Sequence, residues 1–184
     1  QWSLSPEDLA QVVEEQFFEV YNGHPSINHL GKPNRPGDEN LWDIANTIRL
    51  VELQAEPLYG LATDDSHNYH GGDASPGRGW VMVHAASLEP AALIMAMREG
   101  AFYASTGVTL NQLDYGVASK AIRFEIEPDP SVTYKTEIFG TRRKSPNLPG
   151  ESLGVIEGLK VHFPMTDEFH YIRATVTASK PHPN

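Results

Sequence analysis

The sequence predicts an α/β fold in its first part and a small antiparallel β-unit in its second part. Over residues 1–107, segments with a helical period of apolar residues alternate with short apolar runs. That alternation is typical of a parallel sheet with helical crossovers. Beyond residue 111 the helical period is lost, and four segments alternate apolar and polar residues with period two. We therefore place one domain at residues 1–110 and a β-rich appendage at residues 111–184.

Three helices are predicted in the first domain. Ser5, followed by proline, is typical of an N-cap, and that helix should run to about residue 15. A second helix is predicted over residues 39–53, and a third begins with Ser87 as its N-cap and ends at Gly100. The predicted strands cover residues 16–21, 57–62, 80–85 and 101–105 in the first domain, and residues 121–126, 133–139, 158–163 and 171–177 in the appendage.

The bulk composition limits the partners that this protein can have. Its 184 residues include 14 Lys and Arg against 24 Asp and Glu, and the net charge of −10 opposes binding to a nucleic-acid backbone. The chain contains no cysteine, so any metal must be held by His, Asp and Glu. No stretch approaches the roughly 18 apolar residues of a membrane span, so no membrane partner is expected, and the compartment is left open.

A carboxylate and an imidazole follow the second predicted strand, in the segment Thr63-Asp64-Asp65-Ser66-His67. Separated by one residue at a strand end, they can converge on one divalent ion, and this mixture of oxygen and nitrogen ligands suits Zn, Mn or Fe. We expect Asp65 to be the anionic ligand and His67 a neutral imidazole ligand. Asp64 either orients one of them or is the true ligand itself. The alternative is an Asp-capped turn in solvent.

Polar residues also lie in or after the other predicted strands, whose ends share one rim if the strands are parallel. Glu19 has apolar neighbours and needs a metal, a His or an Arg as partner, unless it faces solvent. His24 is a candidate ligand or proton donor, or else an exposed loop residue. Arg78, between glycines, can grip a phosphate or be a solvated turn residue. Tyr103 and Ser105 are candidate hydrogen-bond donors to a substrate, although Tyr103 would suit the core equally.

Two segments resemble the PHP family (polymerase and histidinol phosphatase domains), which are metal-dependent phosphoesterases with an irregular seven-stranded βα barrel. Residues 18–23, Phe-Glu-Val-Tyr-Asn-Gly, resemble a late barrel strand. Residues 59–67 resemble the strand that carries the family's last Asp-x-His, and residues 93–107 extend the similarity. The resemblance covers residues 1–110, and the β-rich remainder resembles the tail of one subgroup.

The resemblance implies that the first domain is the C-terminal part of such a barrel. Asp65 and His67 would be its closing metal ligands, and Glu19 and Asn22 match a motif beside the metal cluster. We count Glu19 among the candidate metal ligands and Asn22 among the candidate substrate contacts. The family's opening His-x-His and its middle-strand His and Glu ligands are absent and are expected upstream of Gln1.

The implied function is hydrolysis of a small phosphate ester by metal-activated water, with His24 or Arg78 neutralising charge on the transferring group. This chain alone is expected to be inactive and to self-associate through exposed sheet edges. Two other functions fit the same residues. One is a non-catalytic binding or structural module, a β-sandwich on a metal-free scaffold. The other is a metal-dependent hydrolase of a non-phosphate bond, such as an amide.

Overall fold

The computed structural model describes residues 4–115 and 118–181. The chain forms two compact units, of which the first ends at Gly107 and the second begins at Val108. The described helices all lie in the first unit, and the part of the second unit that the structure describes contains strands joined by turns and loops. No helix within the described residues is long and apolar enough to cross a membrane.

From residue 4 onward, the first unit contains three α-helices, a π-helical turn and four strands. In chain order these are α1 (Pro6–Gln11), β1 (Phe17–Asn22), α2 (Asp38–Ile48), the π-helical turn (Arg49–Leu53), β2 (Tyr59–Thr63), β3 (Trp80–Val83), α3 (Pro90–Arg98) and β4 (Phe102–Ser105). Strands β1 and β2 pair in parallel, whereas β3 and β4 form a separate antiparallel pair.

The predicted βα barrel is wrong. The described strands form two sheets of two strands and two sheets of three strands, and none of these sheets closes into a barrel. The alternation of helix and strand identified which segments form elements, but it does not decide which strands pair. The connection through α3 is long enough for either direction of pairing. Strand β4 returns antiparallel to β3, with Trp80 opposite Ser105 and Val83 opposite Phe102.

The start of α1 is confirmed, but its predicted end is not. Ser5 is the N-cap, and it forms a capping box with Asp8, whose backbone N–H lies 3.1 Å from the Ser5 hydroxyl. The helix ends at Gln11 because the following backbone is held by a buried side chain. Arg49, only 1% exposed, donates to the carbonyl oxygens of Val12, Val13, Glu15 and Glu56. These bonds hold the segments that lead into β1 and β2.

The other two helices also depart from prediction at one end. The second predicted helix covers α2 and the π-helical turn, so its last five residues are not α-helical. The third begins at Pro90 rather than after Ser87, because proline suits the first helical position and Glu89 takes the N-cap place. Gly100 ends it as predicted, with a φ of +72° that favours glycine.

The first unit has a small apolar core between its first two helices and the start of β2. Its buried members are Leu9, Ala10, Leu41, Ala45 and Leu58, with Phe18, Trp42, Ile48 and Leu53 packed against them. The Trp42 indole and the buried Asn46 amide both donate to the Leu58 carbonyl oxygen, at 2.7 and 3.2 Å. This core therefore supports the beginning of β2, at the opposite end from the polar segment that follows it.

The described residues of the second unit form a β-sandwich of six strands. Its strands are β5 (Leu110–Asp114), β6 (Ala121–Ile126), β7 (Tyr134–Arg142), β8 (Glu151–Glu157), β9 (Lys160–Pro164) and β10 (Phe169–Ala178). They form two antiparallel sheets of order β5-β6-β9 and β10-β7-β8. Phe124, Ile126 and Val161 from one sheet form a common core with Ile138 from the other. The four predicted strands are present, while β5 and β8, with weaker apolar alternation, were not predicted.

Candidate functional site

The parallel pair β1–β2 brings several of the predicted polar residues to one face. Glu19 lies opposite Leu61 and Asn22 lies opposite Thr63, with a register shift between Glu19 and Tyr21. In a regular strand, residues three apart point to opposite faces. The extra residue in β1, as in a β-bulge, brings Glu19 and Asn22 to the face that Leu61 and Thr63 share.

A hydrogen-bonded network connects these residues to Asp65. The Asn22 side-chain nitrogen donates to Glu19 Oε2 at 3.0 Å and to Asp65 Oδ2 at 3.2 Å. Thr63 Oγ1 donates to the other carboxylate oxygen of Glu19. The structure therefore brings Glu19, Asn22 and Asp65 together, as expected for strands whose ends share a rim.

His67 is held by the backbone of the residue two positions before it. Its Nδ1 lies 2.6 Å from the Asp65 carbonyl oxygen, which can only accept, so Nδ1 carries the proton. In the neutral ring, Nε2 then keeps its lone pair, which is the form that binds a metal. Asp65 has a φ of +49°, a left-handed conformation that few residues other than glycine and Asn or Asp adopt. That turn brings the imidazole back beside the carboxylate, with 3.9 Å between Nδ1 and Oδ1.

His24 contacts His67 from the loop after β1. The two ring centroids lie 5.2 Å apart at an interplanar angle of 84°. The His24 Nδ1 accepts the backbone N–H of Ser26 at 3.2 Å and lies 2.8 Å from Ser26 Oγ, while the backbone N–H of His24 donates to Asn22 Oδ1 at 2.9 Å. Because Nδ1 accepts, the proton of the neutral ring lies on Nε2, so this geometry favours His24 as a proton donor over a metal ligand.

Asp64 is placed differently from its neighbour Asp65. Its Oδ1 accepts the backbone N–H groups of Arg78 at 2.6 Å and Gly79 at 2.9 Å. Burial by itself raises the pKa of Asp64, but the N–H groups of Gly79, Arg78 and Gly77, together with the Arg78 charge, outweigh burial and lower it. Asp64 therefore anchors the turn before β3, and these bonds go to residues 77–79 rather than to Asp65 or His67.

The Arg78 guanidinium also donates hydrogen bonds to backbone carbonyl oxygens. Its Nε donates to the Gly23 carbonyl oxygen at 2.6 Å, and one terminal nitrogen donates to the Asp73 carbonyl oxygen at 2.9 Å. Two of its five N–H donors are thereby used to close the loop over the end of β1. The Cβ of an alanine in place of Gly23 would lie 2.6 Å from the Arg78 Cβ, so this close approach requires glycine.

The two candidate donors on β4 lie on the antiparallel pair. Ser105, opposite Trp80, is buried, and its hydroxyl oxygen accepts the Gly107 N–H at 3.1 Å. Tyr103 is half-buried opposite Met82. Ser105 therefore lies near the Asp64-held turn, because Trp80 directly follows that turn.

Sequence reasoning missed two members of this neighbourhood. Thr63 donates to Glu19, although in the sequence it is simply the residue before the acidic pair. Burial raises the pKa of Asp38, while His29 lowers it and Glu19 raises it further, so Asp38 lies within electrostatic reach of the network. Asp38 begins α2, where an acidic residue is ordinarily explained by the helix dipole. The raised pKa was not visible in the sequence.

The side chains are of the types that bind a divalent metal, but there are fewer of them than a complete metal site needs. Among residues 4–115 and 118–181, no group of three or more His, Asp or Glu side chains is placed to hold a metal ion. Catalytic sites usually supply three protein ligands and keep one open position. Asp65 and His67 offer the carboxylate oxygen and neutral imidazole that Zn, Mn or Fe prefers, with side chains 40% and 64% exposed.

No family model, curated protein or solved structure matches this chain.

Proposed function

We propose that the edge formed by the ends of β1 and β2 binds a divalent metal ion through Asp65 and His67 and serves in the hydrolysis of phosphate esters. The single observation that carries the proposal is the bond from His67 Nδ1 to the Asp65 carbonyl oxygen. It selects the tautomer in which Nε2 keeps its lone pair, in a ring whose Nδ1 lies 3.9 Å from the Asp65 carboxylate. The same chemistry is implied by the resemblance of residues 18–23 and 59–67 to the PHP family.

The surrounding residues support a phosphorylated substrate. A bound divalent ion supplies positive charge that lowers the pKa of coordinated water and polarises a phosphoryl oxygen. Arg78 adds a fixed cation within the same loop cluster, with N–H donors beyond the two that bind the backbone. His24, whose ring contacts His67, is the candidate for moving a proton or neutralising charge on the leaving group.

Metal binding is tested first. The protein is equilibrated with Zn²⁺, Mn²⁺ or Co²⁺, and affinity is measured by competition with a chelating dye. Asp65→Ala and His67→Ala should each lower affinity at least about 100-fold, exceeding the roughly 10–100-fold typical of outer hydrogen-bonding partners. His84→Ala is the matched control, because His84 is another exposed histidine of the same unit. Absence of binding by the wild type, or equal affinities in all four proteins, would refute the metal site.

Hydrolysis separates the remaining functions. An aryl phosphomonoester, a phosphodiester and an aryl amide are offered to the metal-loaded protein, with Asp65→Ala as the negative control. Turnover of a phosphate ester that depends on Asp65 supports the proposal, and turnover of the amide alone assigns the other hydrolase class. Absence of both metal binding and turnover supports the second candidate, a non-catalytic binding module on a metal-free scaffold. That candidate is favoured by one observation, the small number of ligand side chains around Asp65 in the described chain.

A further inference from the structure

We propose that Glu19 and Asn22 are positioning residues that hold Asp65 toward the metal, rather than a metal ligand and a substrate contact. The inference rests on the proposed function, because it assigns roles around the same metal site. Its starting point is the network in which the Asn22 amide joins the carboxylates of Glu19 and Asp65.

The Asn22 amide has no donor left for a substrate. Its nitrogen carries two hydrogens, and these serve Glu19 Oε2 at 3.0 Å and Asp65 Oδ2 at 3.2 Å. Its oxygen accepts the backbone N–H of His24 at 2.9 Å. The residue is only 8% exposed. Asn22 therefore acts within the protein, linking Asp65 to the loop that carries His24.

Glu19 determines which way that amide points. Both of its carboxylate oxygens accept hydrogen bonds, one from Asn22 and one from the Thr63 hydroxyl. Turning the amide over would place its oxygen against two carboxylates and its nitrogen against the His24 N–H, so that three hydrogen bonds would be lost. Glu19 thus maintains the orientation that Asp65 needs, although it does not contact Asp65 in this network.

In this network Asp65 is consequently held through one of its two carboxylate oxygens. Asn22 binds Oδ2, and the unusual backbone conformation, with φ of +49°, fixes the direction from which the side chain starts. A ligating carboxylate is ordinarily oriented by such an outer hydrogen bond. Oδ1, which lies 3.9 Å from His67 Nδ1, is the oxygen that the network leaves for a cation.

Substitutions at position 19 distinguish a positioning role from a ligand role. Glu19→Gln keeps an acceptor for Asn22 and gains a donor for the Thr63 hydroxyl oxygen, so metal affinity should fall by no more than about threefold, as expected when hydrogen bonds are retained. Glu19→Ala and Asn22→Ala should each lower affinity by about 10–100-fold. If Glu19 were a ligand, the neutral Gln would lose affinity as Ala does, and the positioning role would be overturned.

A matched control separates positioning from general destabilisation. Asn46→Ala removes another buried Asn of the same unit, 2% exposed, whose amide binds both backbone groups of Leu58. We expect it to lower the temperature of unfolding without changing metal affinity. If Asn46→Ala weakens metal binding as strongly as Asn22→Ala, then loss of fold rather than loss of positioning explains both, and the proposal fails.

A metal-free measurement keeps this inference independent of the metal site itself. Three-bond NMR couplings report the χ1 rotamer of Asp65 in the unloaded protein. The wild type and Glu19→Gln should show one rotamer, and Asn22→Ala and Glu19→Ala should show averaging. An unchanged Asp65 rotamer in Asn22→Ala overturns the positioning role. Failure of the wild type to bind metal, with this rotamer pattern intact, would instead refute only the proposed function.

Discussion

Replacing Asp64 tests how the polar edge of the first unit is assembled. Asp64 Oδ1 accepts N–H bonds from Arg78 at 2.6 Å and Gly79 at 2.9 Å, and the Gly77 N–H also interacts with this carboxylate. Each hydrogen bond to a charged group is worth about 1.5–3 kcal/mol at a buried position. Asp64 is only half-buried, so solvent reduces each contribution. We expect Asp64→Ala to lower the free energy of unfolding by about 2–3 kcal/mol.

Asp64→Asn is the matched variant, because it keeps an oxygen acceptor and loses the charge. Its free energy of unfolding should fall by less, about 1 kcal/mol, since neutral hydrogen bonds are roughly half as strong as charged ones. The pKa of Asp64 is lowered in the folded protein, so the charged form stabilises the fold above the unfolded-state value of 3.8. That stabilisation is lost as the pH falls through the lower folded-state pKa. The difference between wild type and Asp64→Asn should therefore be steady near neutral pH and shrink below pH 3.8.

Urea unfolding at neutral and acidic pH measures the free energies, and amide hydrogen exchange measures the protection of the Arg78 and Gly79 N–H groups. Both amides should exchange faster in Asp64→Ala. Unchanged midpoints together with unchanged protection would refute this reasoning. A loss of metal affinity without any loss of stability or protection would instead make Asp64 a ligand.

Three further substitutions test other parts of the structure. Arg49→Met leaves four carbonyl groups without their donor and should lower the free energy of unfolding in urea by about 3–5 kcal/mol, and Arg49→Lys should recover only part of that loss. If Arg49→Met were as stable as the wild type, water would satisfy these carbonyl groups. Gly23→Ala places a Cβ 2.6 Å from the Arg78 Cβ and should cost about 1–3 kcal/mol, and an unshifted urea midpoint would contradict that close approach. Ile138→Ala, at a fully buried site of the sandwich, should cost about 2–5 kcal/mol, checked by thermal unfolding, whereas a loss below 1 kcal/mol would argue against a packed core.

The secondary structure was largely predictable because it depends on local patterns. Ser5 and Pro6 placed the start of α1, Gly100 placed the end of α3, and the period-two segments became strands of the sandwich. The end of α1 was not predictable. It depends on Arg49, which is far away in sequence and binds the carbonyl groups beyond Gln11.

The sequence could name candidate residues of the site, but it could not predict which of them contact each other. Asp65 and His67 could be named because a carboxylate and an imidazole follow an apolar strand, and Glu19 could be named because a carboxylate among apolar residues needs a partner. That this partner is the Asn22 amide depends on the register shift in β1. A one-residue shift moves a side chain to the other face of a strand, and no local pattern in residues 17–22 predicts this shift.

The sequence by itself determined where most of the helices and strands form, that this chain has no thiol chemistry, and that an acid–imidazole pair follows β2. These features depend on residue identity and near neighbours. Tertiary structure decided the direction of strand pairing, which excluded the barrel, and it decided which polar atoms meet. Pairing partners lie tens of residues apart, and their register is selected by the burial of whole faces and by loop closure, so a local pattern cannot specify them.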